Sequence, residues 1–264
     1  MTLCVCTATN EGIVLAADSR QTYINQAKMP RIGTDYGQKV FALSSRIGAT
    51  CYGWAFLTRK NIAGLVEDFK VNLPQGNLQV KDVAAQLVDF FEAKYDEHIK
   101  AKIDQPVAKG FVAVGFFVAG YNEKSAIGEV YDCQVPGKIV NKRFDTNAPG
   151  CTWSGQPEIV QRLVKGYDAQ IAKLNGFNPN LQAELPKLEL ITNFNLMTVQ
   201  DAIDYSTFLI RTTVDAQRFS DGIPLAPGSI PGVGGAIDVA VLRPGVDFSW
   251  VQLKRLTAEK TTER

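Results

Sequence analysis

Three residues near the start of the chain have types and spacing that could support catalysis. Thr2 follows Met1, and threonine is small enough for removal of the initiator methionine to leave Thr2 with a free α-amino group. That amine has an intrinsic pKa of about 7.7–8.0, which suits a general base, and the hydroxyl of the same residue can act as a nucleophile. Asp18 follows an apolar run and Lys39 precedes another, although each also fits an ordinary turn or solvated position. A lysine near the amine would lower its pKa by charge repulsion.

The histidine content argues against the common nucleophile–histidine sites. His98 is the only histidine, so a Ser-His-Asp or Cys-His arrangement would have to use it. It lies within residues 91–100, a stretch with the charged positions of an outward helix face. We therefore predict a solvated His98 without a catalytic role.

Metal and nucleotide motifs are absent from the sequence. There is no CxxC pair and no HExxH, and the Gly-rich residues 231–235 match neither GxGxxG nor a P-loop. Cys4 and Cys6 alternate on one face of a strand, where packing is their expected role. We expect no metal site and no cofactor. The five scattered cysteines suit free thiols in a reducing cytoplasm better than a disulfide framework: Cys4, Cys6, Cys51, Cys133 and Cys151.

Composition narrows the possible partners. The chain has 264 residues, 45% of them hydrophobic, and 28 Lys+Arg balance 27 Asp+Glu to a net charge of +1. This balance supports neither nucleic-acid binding nor attraction to a membrane surface. No apolar run approaches the roughly 18 residues of a membrane helix, and no signal-peptide pattern is present. We expect a globular protein that binds neither nucleic acid nor membrane.

The elements that must position these residues alternate between strands and helix pairs. We predict strands over 2–9, 13–17, 39–43 and 49–52, helices over 57–73 and 82–103, strands over 111–119, 127–131 and 139–144, helices over 157–174 and 199–216, and strands over 236–241 and 248–253. This order predicts an α+β fold in which two antiparallel sheets pack face to face, with a helix pair outside each. We predict one domain over residues 1–253 and a charged tail over 254–264.

Several segments together resemble a known family. Thr2, residues 12–20 (GIVLAADSR), residues 38–41 (QKVF) and Gly53 are similar to the catalytic β-subunits of proteasome-type N-terminal-nucleophile (Ntn) hydrolases. Residues 153–157 (WSGQP) and 234–241 (GGAIDVAV) resemble two later motifs of that family. With only Met1 before Thr2, the chain is most similar to bacterial Anbu/HslV-like members. The resemblance implies their four-layer αββα sandwich.

The resemblance also implies roles for five residues. Thr2 would supply the nucleophilic Oγ and the basic amine, and Lys39 would lie against it. Asp18 would hold the Lys39 ammonium, which offsets the cost of burying that charge. The backbone N–H of Gly53 would form the oxyanion hole, and Ser154 would orient the amine.

Three further positions match supporting parts of the family's site. Thr22 falls where family members pair a substrate backbone as an added strand. Cys51 falls at the floor of the first specificity pocket, which would suit a small or apolar substrate side chain. Arg20 matches a structural arginine beside the aspartate.

One part of the family pattern is missing. A second Asp and Ser precede the family's Gly-Gly strand, but Val233 occupies the position of that serine. Asp221 or Asp215 could replace the aspartate. Losing this support could loosen the amine and lower activity, or it could mark a branch with another supporting network.

The leading functional prediction is a threonine peptidase that cleaves peptide or unfolded-protein substrates. One alternative keeps the nucleophile but makes the protein a specific amidase or transpeptidase. Another is a non-catalytic structural subunit of a proteasome-like assembly. The resemblance further implies a cytoplasmic homo-oligomer, in a ring or stack, with a possible ATP-dependent unfoldase partner.

Overall fold

The structure is a computed structural model that describes residues 2–25, 27, 29–74, 76–168, 170, 171, 174, 177–221 and 231–256. Its strands are β1 (Leu3–Ala8), β2 (Ile13–Asp18), β3 (Gln21–Ile24), β4 (Pro30–Thr34), β5 (Val40–Ala42), β6 (Ile47–Gly53), β7 (Phe56–Leu57), β8 (Lys60–Asn61), β9 (Val114–Tyr121), β10 (Gly128–Val135), β11 (Ile139–Asp145), β12 (Cys151–Gly155), β13 (Ile237–Arg243) and β14 (Val246–Gln252). Its α-helices are α1 (Ile62–Val71), α2 (Val80–Lys100), α3 (Glu158–Lys165) and α4 (Val199–Phe219). The expected α+β content is confirmed.

Most strands belong to two five-stranded sheets. One has the order β12-β1-β2-β13-β14 and the other β11-β10-β9-β6-β5, with every neighbouring pair antiparallel. A separate ribbon joins β3 to β4, and a short hairpin joins β7 to β8. The N-terminal strand β1 therefore lies inside its sheet, between β2 and β12.

Alternating side chains divide the core into three clusters. In the fully buried β9, Phe116 packs in a cluster with residues of α1 and α2, while its neighbour Phe117 packs in a second cluster with Cys4 and Cys6 of β1. Leu3, also in β1, belongs to a third cluster with residues of α3 and α4. This division follows from the period of two in a strand. The packing predicted for Cys4 and Cys6 is confirmed.

Several element boundaries differ from the predictions. The helix predicted over 157–174 ends at Lys165, because Gly166 adopts a left-handed conformation (φ 75°) that stops it. Helix α1 starts five residues later than expected, since the β7–β8 hairpin precedes it and Asn61 caps its first turn. Strands β3, β4 and β12 were not predicted as strands.

The prediction of a solvated His98 is wrong. The side chain is completely buried; its Nδ1 accepts from the N–H of Thr58 at 2.6 Å, and its Nε2 lies 2.9 Å from Asp104 Oδ2. Because Nδ1 accepts, the proton of the neutral ring is on Nε2, facing Asp104. The charge pattern of α2 predicted that His98 faces solvent, but the turn at Thr58 and the segment after α2 cover it.

At the other end of the chain, the side chain of Lys254 is only 6% exposed. Its Nζ pairs with Asp238 Oδ2 and its N–H donates to Asp238 Oδ1 at 2.9 Å, which ties the start of the predicted tail to β13. Residues 257–264 lie outside the described part. Among the described residues, each helix is too short or too polar to cross a bilayer.

Candidate active site

The centre of the site is the carboxylate of Asp18, the last residue of β2. Its Oδ1 accepts from the N–H of Leu3 at 2.9 Å and from Lys39 Nζ at 2.8 Å. Its Oδ2 accepts from the N–H groups of Arg20 at 3.1 Å and Gly234 at 2.9 Å. These four donors saturate a fully buried anion, which compensates for its desolvation.

Lys39, immediately before β5, supplies the positive charge. Its side chain is 3% exposed, and its Nζ also donates to the carbonyl oxygen of Arg20 at 2.5 Å. The carboxylate of Asp18 and the Arg20 carbonyl oxygen therefore hold the ammonium in place. Lys39 lines a small recess of about 20 Å³ together with Thr2.

Strand β12 fixes the backbone of Thr2. The N–H of Gln156 donates to the carbonyl oxygen of Thr2 at 2.7 Å, and the next residue, Leu3, pairs with Gly155. Gly155 has φ 113°, and a Cβ there would lie 1.9 Å from the Thr2 oxygen, so a side chain cannot be accommodated. The glycine therefore allows the close approach that holds Thr2 in place.

Gly53, at the end of β6, presents its amide toward the same recess. The N–H of Cys51 donates to the oxygen of Lys39 at 2.9 Å, and that of Trp54 donates to Ala113 on the opposite side at 2.7 Å. Because strand amides alternate in direction, the Gly53 N–H points to the Lys39 side. Its φ is 95°, and a Cβ would lie 2.2 Å from the Ala113 oxygen, which explains the glycine.

Thr2 sits between two depressions. The recess shared with Lys39 is also lined by Gln21, Cys51, Tyr52, Gly53, Trp54, Ala55 and Ile62. A second, wider groove that also includes Thr2 is lined by Tyr52, Gly53, Trp54, Val112, Trp153, Ser154, Gly155, Pro157 and Gln161. Cys51 thus lies in the recess, where burial raises the pKa of its thiol to about 12 and keeps it neutral.

Arg20 and Thr22 flank Gln21, which lines the recess. Arg20 makes a bidentate pair with Asp35, with Nε–Oδ1 2.6 Å and Nη2–Oδ2 3.0 Å, and this hydrogen bonding lowers the pKa of the Asp35 carboxyl. Thr22 pairs with Ile32 across the β3–β4 ribbon. The opposite edge of β3 has no strand partner in the described part of the chain.

The two candidate aspartates lie elsewhere. Asp215 is on the exposed face of α4, and Asp221 is exposed beyond its end; neither lines the two depressions beside Thr2 within the described residues. Gln217 instead accepts from the N–H of Val233 at 3.0 Å and donates to Gln156 Oε1 at 3.1 Å. No sequence pattern indicated a role for Gln217, because its partner Gln156 lies 61 residues earlier in the chain.

Two other residues near the site were also missed. Tyr52, directly before Gly53, donates its hydroxyl to Asp132 of β10 at 2.9 Å. The position of Tyr52 next to the expected oxyanion donor, Gly53, could have indicated a role for Tyr52, whereas no nearby sequence pattern indicated Asp132.

The described residues include no group of three or more His, Cys, Asp or Glu side chains that could hold a metal ion. The expected removal of Met1 concerns a residue outside the described part.

Comparison with known proteins supports the fold. No protein-family model and no curated protein matches the sequence. Among solved structures, the Anbu (Gly-1) mutant from Hyphomicrobium sp. strain MC1 matches with a TM-score of 0.55 and 14% identity, over 98% of this chain and 88% of that one. The chain therefore shares the fold of Anbu, and the expected likeness to this proteasome-like group is confirmed at the level of structure.

Proposed function

We propose that this protein is a proteasome-type threonine peptidase whose nucleophile is Thr2, exposed by removal of Met1. The observation that carries the proposal is that Thr2, the Lys39 ammonium and the Gly53 amide face one recess, with Lys39 held by a saturated Asp18. These are the groups that an N-terminal nucleophile needs: a hydroxyl, an adjacent amine, a fixed positive charge and an oxyanion donor.

The reaction would use the two functional groups of Thr2. The Oγ attacks the peptide carbonyl carbon while its proton passes to the α-amine, and the carbonyl π electrons move to oxygen, where the Gly53 N–H stabilises the charge. Collapse breaks the C–N bond, and the departing amine takes the proton from the ammonium. The same amine then activates water, which hydrolyses the ester and restores Thr2.

Lys39 acts through its charge in this scheme. A nearby ammonium lowers the pKa of the Thr2 amine, so that more of it is unprotonated and able to accept the Oγ proton. The same charge favours the developing oxyanion. Asp18 is a positioning residue, because its carboxylate holds Lys39 and the N–H of Leu3 at once.

We propose the four-layer αββα sandwich and a single domain over residues 1–253 for the arrangement of the elements. The support is the division of the core: one cluster joins α1 and α2 to one sheet, a second lies among β1, β2, β6, β9 and β13, and the third joins α3 and α4 to the other sheet. An Ntn site at the end of such a sandwich would open between its sheets.

Assembly, partners and location are proposals that rest on the resemblance. A cytoplasmic homo-oligomer would restrict access of peptide or unfolded-protein substrates, and an ATP-dependent unfoldase could supply them. Large apolar side chains on α4, including Phe208 (50% exposed) and Phe219 (81% exposed), support burial against another copy. Light scattering coupled to size exclusion should find a multiple of the 28.9 kDa chain; a monomer would contradict this part.

The central test is the intact mass of purified protein, before and after treatment with a peptide epoxyketone. We expect loss of the Met1 mass and one adduct per chain. Thr2→Ser should keep a slower adduct, because it retains the hydroxyl and amine, and Thr2→Ala should form none.

Two results would contradict the proposal. Retained Met1 would block both the amine and the approach to Thr2, which would favour a structural subunit. An adduct that survives Thr2→Ala would identify another nucleophile. Product analysis with an added amine distinguishes hydrolysis from transfer, because a transpeptidase would join the acyl group to that amine.

A further inference from the structure

We propose that Tyr52 and Asp132 are positioning residues that set the direction of the Ser154 hydroxyl, so that Ser154 accepts a hydrogen bond from the Thr2 amine. The proposal rests on the function proposed above and extends it to two residues of the opposite sheet. Its basis is a chain of contacts that runs from β10 through β6 to β12.

Tyr52 enters the space between the sheets because of its position in β6. Its neighbour Cys51 packs in the cluster with α1 and α2, so alternation turns Tyr52 toward the cluster that contains Cys4. Its ring lies 5.6 Å from that of Phe117, centroid to centroid. Gly115 is opposite it in β9, and a Cβ there would meet the ring at 2.1 Å. The sequence therefore provides room for this ring.

Asp132 determines the direction in which the Tyr52 hydroxyl donates its hydrogen bond. The carboxylate is buried on β10 and accepts from the Tyr52 hydroxyl at 2.9 Å and from Gln134 Nε2 at 3.0 Å. An ionised carboxylate only accepts hydrogen bonds, so Tyr52 must be the donor of this pair. Its single proton is thereby committed, and its oxygen can only accept from any other neighbour.

Ser154, on β12, lines the same groove as Tyr52. It pairs with Cys4 in the β1–β12 register, which turns its side chain into the same space between the sheets. Burial raises the pKa of Tyr52 and the charge of Asp132 raises it further, while hydrogen bonding from Ser154 opposes them. Tyr52 thus stays protonated near neutral pH, and in the proposed network its oxygen accepts from the Ser154 hydroxyl.

This direction has a consequence for Thr2, which lines the same groove as Ser154 and Tyr52. With its proton directed at Tyr52, Ser154 presents lone pairs to the amine and can accept an amine N–H. The nitrogen lone pair is then free to take the Oγ proton. A Ser154 that donated to the amine would occupy that lone pair and compete with the reaction.

The arrangement also accounts for the missing second Asp/Ser pair. Val233 is buried against α3 and α4 and cannot orient an amine. In this chain the supporting carboxylate comes from β10, in the opposite sheet. Substrate would bind beside this network without touching Asp132, so Asp132 acts only through Tyr52.

The test compares two tyrosines in the same cluster. Tyr52→Phe removes the hydroxyl and keeps the ring, and we expect the maximal rate of epoxyketone labelling at Thr2 to fall about 10-fold, with unchanged half-saturating concentration. Asp132→Asn keeps an acceptor but no charge and should lower the rate less. Tyr121→Phe is the matched control, because its buried hydroxyl has no hydrogen-bond partner among the described residues; it should label like wild type.

A double mutant separates positioning from a general loss of structure. If Tyr52 acts through Ser154, Tyr52→Phe should have no further effect in a Ser154→Ala background; additive losses would overturn the proposal. Wild-type labelling with an unaffected Tyr52→Phe would also overturn it while leaving the proposed function intact. Wild type that fails to label at Thr2 would overturn both.

Discussion

Two buried lysine–aspartate pairs in the described part of the chain differ in what surrounds them. Lys39–Asp18 and Lys254–Asp238 each have side chains no more than 6% exposed. Asp18 has three main-chain donors besides its lysine, whereas both donors to Asp238 among the described residues come from Lys254 itself. Lys39 also lines the recess beside Thr2, and Lys254 does not.

The difference shows that a buried ion pair is not by itself a sign of function. Lys254–Asp238 fastens the residues after β14 to β13, and Lys254 lines neither of the two depressions beside Thr2. Asp18 is held mainly by the fold, so its pair can be disrupted at Lys39 with less structural damage. The comparison predicts different effects of removing the two lysines. Loss of Lys39 should mainly lower the reactivity of Thr2, and loss of Lys254 should mainly lower the free energy of unfolding.

The largest effect should come from Lys39→Met, which removes the charge and keeps the length of the side chain. We expect epoxyketone labelling of Thr2 to slow by on the order of 10²–10³-fold, as on removal of an oxyanion stabiliser. The three main-chain donors to Asp18 should preserve the fold by circular dichroism. Lys138→Met, at an exposed pair with Asp89, is the control. Undiminished labelling in Lys39→Met would remove the distinction between the two pairs.

The reciprocal variant is Lys254→Met. It leaves the buried Asp238 without its charge partner, and we expect the free energy of unfolding in urea to fall by about 3–5 kcal/mol. Labelling of Thr2 under native conditions should be unchanged. The comparison fails if Lys39→Met destabilises the protein more than Lys254→Met does.

The contacts of His98 provide a third test, because its side chain is buried while its partner Asp104 is half-exposed. His98→Phe preserves an aromatic ring beside Trp54 but leaves the Thr58 N–H without its acceptor. We expect the free energy of unfolding in urea to be about 1–3 kcal/mol lower than that of the wild type. Asp104 is half-exposed, so Asp104→Asn should have a smaller effect. Equal losses in the two variants would show that the ring–carboxylate contact, not the Thr58 bond, dominates.

The smallest effect should come from the partly exposed Arg20–Asp35 pair. Its hydrogen bonding lowers the pKa of Asp35 in the folded state, so its stabilising contribution is present above the unfolded pKa of about 3.9 and is lost as pH falls through the folded pKa. At pH 6, Asp35→Asn should destabilise by no more than about 1 kcal/mol, because solvent screens the pair. Urea unfolding should show this difference shrinking toward pH 3, and a constant difference would contradict the assignment.

The sequence was most informative where chemistry and structure are local. Asp18 follows a predicted strand and Lys39 begins another, and the family resemblance placed both beside Thr2. The structure pairs Asp18 with Lys39, and Lys39 lines one recess with Thr2. Cys4 and Cys6 followed directly from strand alternation. The position of Gly53 was recognisable from the motif, although its φ of 95° was not.

The remaining features depend on contacts between distant segments. Tyr52 and Asp132 are 80 residues apart and meet only because β6 and β10 flank β9 in one sheet. His98 was misjudged because a helical charge pattern cannot reveal that the turn at Thr58 will cover it. Gly166 was overlooked as a helix terminator because apolar residues continue the helical spacing beyond it.

The hydrogen bond from Gly234 to Asp18 also determines when the site can be completed during synthesis. The two residues are 216 positions apart, which at about 5–20 residues per second corresponds to roughly 10 to 40 seconds of translation. Until β13 has emerged and inserted beside β2, the carboxylate lacks one donor and its sheet lacks an inner strand. Under the proposed function, a nascent chain would therefore carry Thr2 from the start without its finished surroundings, and we expect a ribosome-bound chain truncated before residue 234 not to react with an epoxyketone.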